Sequence, residues 1–70
     1  MKKEDLVNYE VGKEYLFKTD NRKRAIRGVL TSKDCHFTGL SLYHGTEAIS
    51  FKRRGNIYTV SLYGLERIYQ

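Results

Sequence analysis

Glycine recurs along the whole chain and proline is absent, so the chain is expected to form short, frequently interrupted elements. The segments between the glycines are rich in tyrosine, phenylalanine and β-branched residues, which favour strands. Turns or bulges at the glycines would separate those strands. The pattern predicts a small β-rich domain whose turns or bulges fall at or near Gly12, Gly28, Gly39, Gly45, Gly55 and Gly64.

The length of 70 residues allows one domain with a modest core. Cys35 is the only cysteine, so an intrachain disulfide is excluded, and a single thiol is typical of a reducing compartment. No apolar run approaches the ~20 residues of a membrane span, and no apolar segment follows the basic start as in a signal peptide. We expect a cytoplasmic protein with no membrane partner. The sequence leaves open whether Cys35 is buried or reactive.

Apolar and polar residues alternate in a way that predicts five to six short strands after a helical segment. Residues 2–9 are predicted to form about two helical turns with Leu6 and Tyr9 on one face. A tight link at Lys33-Asp34 and a bulge at Gly39 are expected, with Phe37, Leu40 and Leu42 facing inward. The strands are expected at residues 13–19, 25–32, 35–43, 48–53 and 57–62, with a closing strand at 66–69. In the 48–53 strand, Ile49 and Phe51 are expected to point inward.

Short strands with this spacing predict a mainly all-β fold. We expect a closed SH3-, Sm- or OB-type barrel over residues 12–70, preceded by a helical or loosely ordered segment over residues 1–11. Closure would also remove the exposed sheet edges that favour aggregation.

The formal net charge is +5, and the excess positive charge lies in two clusters. The first cluster is Arg22, Lys23, Arg24 and Arg27, and the second is Lys52, Arg53 and Arg54. Both fall in loops or at strand ends, and loops of neighbouring hairpins gather at one rim of a small barrel. A rim of this charge attracts phosphate backbones or acidic protein surfaces.

Three further residues complete the predicted binding set: Lys33, His36 and Tyr58. Tyr58 would stack on a base, as aromatic side chains do in single-strand-binding proteins. The alternative for Tyr58, and for the other stacking candidates, is a half-buried position on a strand. Those other candidates are Tyr15, Tyr43 and Tyr63.

Catalytic and metal-binding patterns are weak in this chain. The neighbouring Cys35 and His36 would point to opposite faces of a strand, and His44 is the only other histidine. One cysteine and two histidines at this spacing match no zinc motif, and the chain has no nucleotide-binding glycine loop. We expect a protein that is not an enzyme and that uses no metal or cofactor.

Residues 28–38, GVLTSKDCHFT, and the later Arg54-Gly55-Asn56-Ile57 resemble the two motifs of the Sm/Lsm (Sm-like) proteins. Gly28 and Asp34 match the glycine and the aspartate six residues later in the first motif, and Arg54-Gly55 matches the second. The resemblance implies a short N-terminal helix, a five-stranded bent barrel and RNA binding by a ring of subunits. It also implies a base pocket lined by Asp34, His36, Thr38, Arg54 and Gly55.

Two features leave the resemblance open to alternatives. Thr38 stands where the family has asparagine, which affects base specificity. Small SH3-like bacterial domains, including the Veg-type proteins, match almost as well.

Charge and resemblance lead to two hypotheses of function. The first is a non-enzymatic protein that binds nucleic acid through basic loops, with RNA favoured over DNA. The second is an SH3-like protein-interaction module, such as a host- or phage-encoded regulator or inhibitor that binds an acidic protein partner. A third hypothesis, which does not depend on the charge, is an assembly protein whose role is a structural ring or dimer. The sequence leaves open whether the chain forms a homo-oligomer.

Overall fold

A computed structural model describes residues 1–70 as a short N-terminal helix followed by five antiparallel strands. The mainly all-β prediction, with five strands and a short N-terminal helix, is confirmed. No helix is long and apolar enough to cross a bilayer. The N-terminal helix, of the 3-10 type, spans Lys3–Asn8, and the strands are β1 (Glu14–Thr19), β2 (Ile26–His36), β3 (Glu47–Arg53), β4 (Asn56–Ser61) and β5 (Leu65–Tyr69).

The strands form one sheet in the order β4-β3-β2-β1-β5. β1 pairs with the first part of β2 up to Val29, and β3 pairs with β2 from Val29 onward, so β2 links two ladders. Strands β4 and β5 each pair with one neighbour only. No hydrogen-bonded ladder joins β4 to β5, and the five strands together enclose one core.

β2 is one continuous strand of 11 residues, where two strands joined at Lys33-Asp34 were expected. Lys33 makes no turn, because its ammonium donates hydrogen bonds to the carbonyls of Leu6 (3.1 Å) and Tyr9 (2.6 Å) at the N-terminal helix. The irregularity lies between Leu30 and Cys35, where the β2–β3 register shifts twice, and not at Gly39. The predicted strand over residues 35–43 is wrong beyond His36.

Residues 37–46 form a loop instead of a strand. The Phe37 amide donates to the Thr46 carbonyl (2.9 Å) and the Gly45 amide to the Phe37 carbonyl (2.8 Å), which closes the loop. The Phe37 ring packs so tightly over Gly39 that a Cβ there would lie 2.5 Å from the ring. The inward placement of Leu40 and Leu42 is wrong, since both are fully exposed.

The core lies on the concave face of the sheet, as the alternation along β1, β2 and β3 predicts. The rings of Phe17 and Phe51 stack at a centroid distance of 4.1 Å, and Tyr58 stacks on Phe51 at 5.4 Å. A Cβ at Gly28 would lie 2.7 Å from Phe51 and 2.9 Å from the Lys52 carbonyl oxygen, so only glycine lets β3 approach β2 here. The core cluster is Leu6, Tyr15, Phe17, Ile26, Leu30, Ile49, Phe51, Leu62, Leu65 and Ile68.

Candidate nucleic-acid interface

The two basic clusters lie at the same end of β2. The β1–β2 loop precedes the first residue of β2, and the β3–β4 hairpin follows the last residue of β3, which runs antiparallel to β2. Val29 pairs with Lys52, so Arg27 and Lys52 are diagonal neighbours about 7–8 Å apart on the convex face. This surface is called the basic end and comprises Arg22, Lys23, Arg24, Arg27, Lys52, Arg53 and Arg54.

The β3–β4 hairpin turns in two residues. Arg53 pairs with Asn56, which leaves Arg54 and Gly55 at the tip with φ angles of 50° and 83°. Positive φ at both positions is typical of a type I′ turn, which favours asparagine or glycine. An L-residue such as Arg54 pays roughly 1–2 kcal/mol for this conformation. Its exposed side chain is thus held at the tip of a tight, well-defined turn.

Folding leaves most of the charge at the basic end without a partner. Six of the seven cationic side chains form neither a hydrogen bond nor an ion pair with the rest of the chain. The exception is Arg27, whose Nη1 lies 3.3 Å from Glu14 Oε1, with both side chains 57% exposed. An exposed pair of this kind is worth about 0.2–1 kcal/mol. An external anion therefore meets little competition at this surface.

A cavity of about 470 Å³ opens beside the basic end. Its walls come from β2, β3, β4 and the 37–46 loop, and the β1–β2 loop contributes Asp20, Asn21 and Arg22. Arg22 is the member of the basic end that lines the cavity. The apolar lining consists of Ile26, Phe37, Leu42, Tyr43, Phe51, Tyr58 and Val60.

Tyr43 joins the two loops that border this cavity. Its hydroxyl donates a hydrogen bond to Asp20 Oδ2 at 3.2 Å. The negative charge of Asp20, together with this hydrogen bond, raises the pKa of Tyr43 above its ordinary value of 10.0. The Tyr43 ring also stacks on the largely exposed Tyr63 at a centroid distance of 6.0 Å. The carboxylate of Asp20 is thus engaged by a neutral phenol and pairs with no arginine.

Two members of the predicted binding set lie away from the basic end. Lys33 is held by the carbonyls at the N-terminal helix, and the exposed His36 is the last residue of β2, opposite Glu47. Of the stacking candidates, Tyr15 is buried in the core, where its hydroxyl accepts a hydrogen bond from the Glu10 amide at 2.9 Å. Tyr58 is half-buried and lines the cavity.

The residues that the Sm resemblance assigns to one base pocket are not brought together. Asp34 precedes Cys35, which pairs with Ala48, whereas Arg54 lies six residues beyond Ala48 along the chain. At about 3.3 Å per residue, this separation is about 20 Å along the strand direction. Asp34 instead accepts a hydrogen bond from Lys3 Nζ at 3.3 Å, and Thr38 belongs to the 37–46 loop.

Cys35 is half-buried, and its thiol donates a hydrogen bond to the Ala48 carbonyl at 3.4 Å. No group of three or more histidine, cysteine, aspartate or glutamate side chains is placed to hold a metal ion. The structure therefore adds no candidate for a metal site.

The cavity is the part of the candidate site that sequence reasoning missed. Its aromatic content was visible only as single residues, because Phe37 and Tyr43 had been assigned to a strand. The signals that the sequence offers are the expected inward position of Phe51 and the choice of Tyr58 as a stacking residue, since both residues line the cavity. No family model matches the chain, and neither a curated protein nor a solved structure shows significant similarity to it.

Proposed function

We propose that this chain is a non-enzymatic protein that binds nucleic acid through the basic end. The supporting observation is the convergence of two separate basic loops at one end of β2, with six cationic side chains that no group of the chain neutralises. Arginine can hold a phosphate through two parallel hydrogen bonds. A phosphate backbone would supply the acceptors that the chain itself does not.

RNA is favoured over DNA in this proposal. The basic end consists of loops and strand ends, and the only helix has 6 residues, so no long helix is available to enter a DNA major groove. Sequence-specific RNA recognition uses single-stranded segments whose bases reach aromatic side chains. Tyr58 and Tyr43 line the same cavity as Arg22 and fit this mode.

The test is fluorescence anisotropy with a labelled single-stranded RNA over a range of salt concentrations. The logarithm of affinity should fall with the logarithm of salt, by about 0.7 for each phosphate contact on a single strand. In the variant Arg22→Gln/Lys23→Gln/Arg24→Gln, three contacts are lost, so the slope should shrink by about 2 and binding at about 50 mM salt should weaken at least tenfold.

Lys2→Gln/Lys13→Gln is the matched control, because it removes exposed lysines that lie outside the basic end. This control should retain most of the affinity and of the salt slope. The control removes two charges and the test variant three, so losses in proportion to the charge removed would show that only net charge matters. The absence of binding at about 50 mM salt would reject the proposal.

A protein-interaction module that binds an acidic partner is the second candidate. The observation that favours it is the complete exposure of Leu40 and Leu42, since Leu42 lines the same cavity as Arg22. Adjacent apolar and cationic side chains suit an acidic protein with an apolar segment. A partner recovered after nuclease treatment should be lost with Leu40→Ser, while RNA binding by that variant persists, because Leu40 is outside the lining of the cavity.

A further inference from the structure

We infer that the cavity beside the basic end receives one unstacked nucleobase, so that the protein selects single-stranded over paired nucleic acid. This inference rests on the proposed function and specifies the form of nucleic acid bound. It concerns the residues around Tyr58 and Arg22 and does not use the pocket implied by the Sm resemblance.

The first argument is a column of stacked rings that ends at the cavity. Phe17 and Phe51 are nearly parallel, with an interplanar angle of 5°, and Tyr58 follows Phe51 at 22°. Phe17 is fully buried, whereas Tyr58 is half-buried and lines the cavity. A planar base can extend this column, because stacking on an aromatic side chain is available to every base.

The second argument is the supply of polar groups around the apolar walls. The Tyr58 hydroxyl and the side-chain nitrogen of Asn21 have no hydrogen-bond partner within the chain, and both residues line the cavity. Arg22 lines it as well and has no acidic partner. A base stacked on Tyr58 can meet a polar side chain at its edge while the phosphate of the same nucleotide reaches Arg22.

The third argument is size. A volume of about 470 Å³ falls within the range of roughly 300–1,000 Å³ that is usual for small-molecule sites, and a duplex cannot enter it. A paired base would have to leave its stack and its partner before entering, which carries an energetic cost. The β1–β2 and 37–46 loops border the cavity, joined by Tyr43 and Asp20, so access is suited to a single flexible strand.

The experiment compares three ligands of equal length in competition anisotropy: a single-stranded RNA, the same strand paired with its complement, and the same strand with abasic sites. The abasic strand keeps every phosphate and loses only its bases. At near-physiological salt, the wild-type chain should bind the abasic strand and the duplex at least about tenfold more weakly than the base-bearing strand, as expected when stacking is lost.

Tyr58→Leu keeps an apolar side chain against Phe51 and removes the stacking ring. In this variant the base-bearing and abasic strands should bind with equal affinity, while the salt slope stays that of wild type. The matched control is Tyr69→Leu, since Tyr69 is a half-buried strand tyrosine outside the cavity, with Arg67 lying 4.1 Å from its ring centroid. This control should still distinguish the two strands.

The possible results separate the two proposals. Equal binding of base-bearing and abasic strands by the wild-type chain, with a normal salt slope, overturns the base cavity and leaves the basic end intact. No binding of any strand at low salt overturns both. If Tyr58→Leu fails to fold, the wild-type comparison of the three ligands still decides, because it requires no variant.

Discussion

The two ends of β2 carry the same kinds of charged side chain but use them in opposite ways. At the C-terminal end, Lys3 lies 3.3 Å from Asp34 and 3.0 Å from Glu47, and Lys33 donates to two carbonyls at the N-terminal helix. We call these four residues, Lys3, Lys33, Asp34 and Glu47, the helix-contact region. At the basic end, six of the seven cationic side chains have no partner.

This difference shows that net charge alone says little about function. In the helix-contact region, the ammonium groups of Lys3 and Lys33 connect the N-terminal helix to the sheet through ion pairs and hydrogen bonds. These charges therefore already have partners within the chain. At the basic end, like charges crowd together without compensation, and such crowding opposes compaction. Folding gains nothing from these side chains, so the binding proposal rests on them and not on lysine and arginine content in general.

The largest expected effect is on stability, from Lys33→Ala in the helix-contact region. The Leu6 and Tyr9 carbonyls would lose a charged donor at a half-buried site, and hydrogen bonds to charged groups contribute about 1.5–3 kcal/mol. We expect a loss of about 2–3 kcal/mol in the free energy of unfolding, measured by urea denaturation. RNA affinity of the folded variant should be unchanged.

Arg24→Ala at the basic end is the matched substitution for this comparison. Arg24 is exposed and unpaired, so its removal should change the free energy of unfolding by no more than about 0.5 kcal/mol. If Lys33→Ala and Arg24→Ala lower the free energy of unfolding by the same amount, the contrast between structural and free cations is wrong.

A smaller effect, of opposite sign, is expected when the charge of the β1–β2 loop is removed. Arg22→Gln/Lys23→Gln/Arg24→Gln relieves repulsion among unpaired cations and should raise the free energy of unfolding by about 0.5 kcal/mol at low salt. The gain should vanish near 1 M salt, where the screening length is about 3 Å.

Lys3→Gln serves as the counterpart in the helix-contact region. Because Glu47 and Asp34 hydrogen-bond to Lys3 and raise its pKa, this substitution should lower stability, and the loss should shrink as salt increases. Urea denaturation of Lys3→Gln and of the triple glutamine variant, at two salt concentrations, shows whether each change raises or lowers the free energy of unfolding. The same sign in both variants would mean that the ends of β2 do not differ in the way the contacts indicate.

Most of the strands follow from local pattern, because alternation and turn residues act over a few positions. Ile49 and Phe51 are buried as predicted, and the Arg54-Gly55 turn lies where glycine indicated a hairpin tip. The 35–43 segment failed because its alternation is equally compatible with an exposed loop. Lys33, in the middle of β2, contacts carbonyls that lie 24 and 27 residues away along the chain. Contacts over such distances cannot be inferred from a local sequence pattern.

The candidate site was likewise only partly predictable from the sequence. The two basic clusters could be placed from sequence, since each adjoins a turn and antiparallel strands bring alternate turns to one end. The separation of Lys33 and His36 from them could not, because it depends on β2 being one strand. The cavity depends on where the 37–46 loop lies, which is set by Phe37 packing on Gly39 and by Tyr43 meeting Asp20.

The smallest expected effect concerns the hydrogen bond from Tyr43 to Asp20. Asp20 is the acidic residue nearest to Arg22 in the sequence, and this hydrogen bond explains why it forms no ion pair with Arg22. The raised pKa of Tyr43 means that this contact stabilises the fold fully below about pH 10 and is lost as pH rises through the higher, folded-state value. In an alkaline titration followed by phenolate absorbance, Asp20→Asn should shift the Tyr43 transition back toward 10.0, whereas Asp34→Asn, in the helix-contact region, should leave it unchanged. Tyr43→Phe should be less stable than wild type at neutral pH and equally stable once Tyr43 has ionised. If Asp20→Asn leaves the titration unmoved, Asp20 is not held by Tyr43, and its carboxylate would be free to neutralise Arg22 after all.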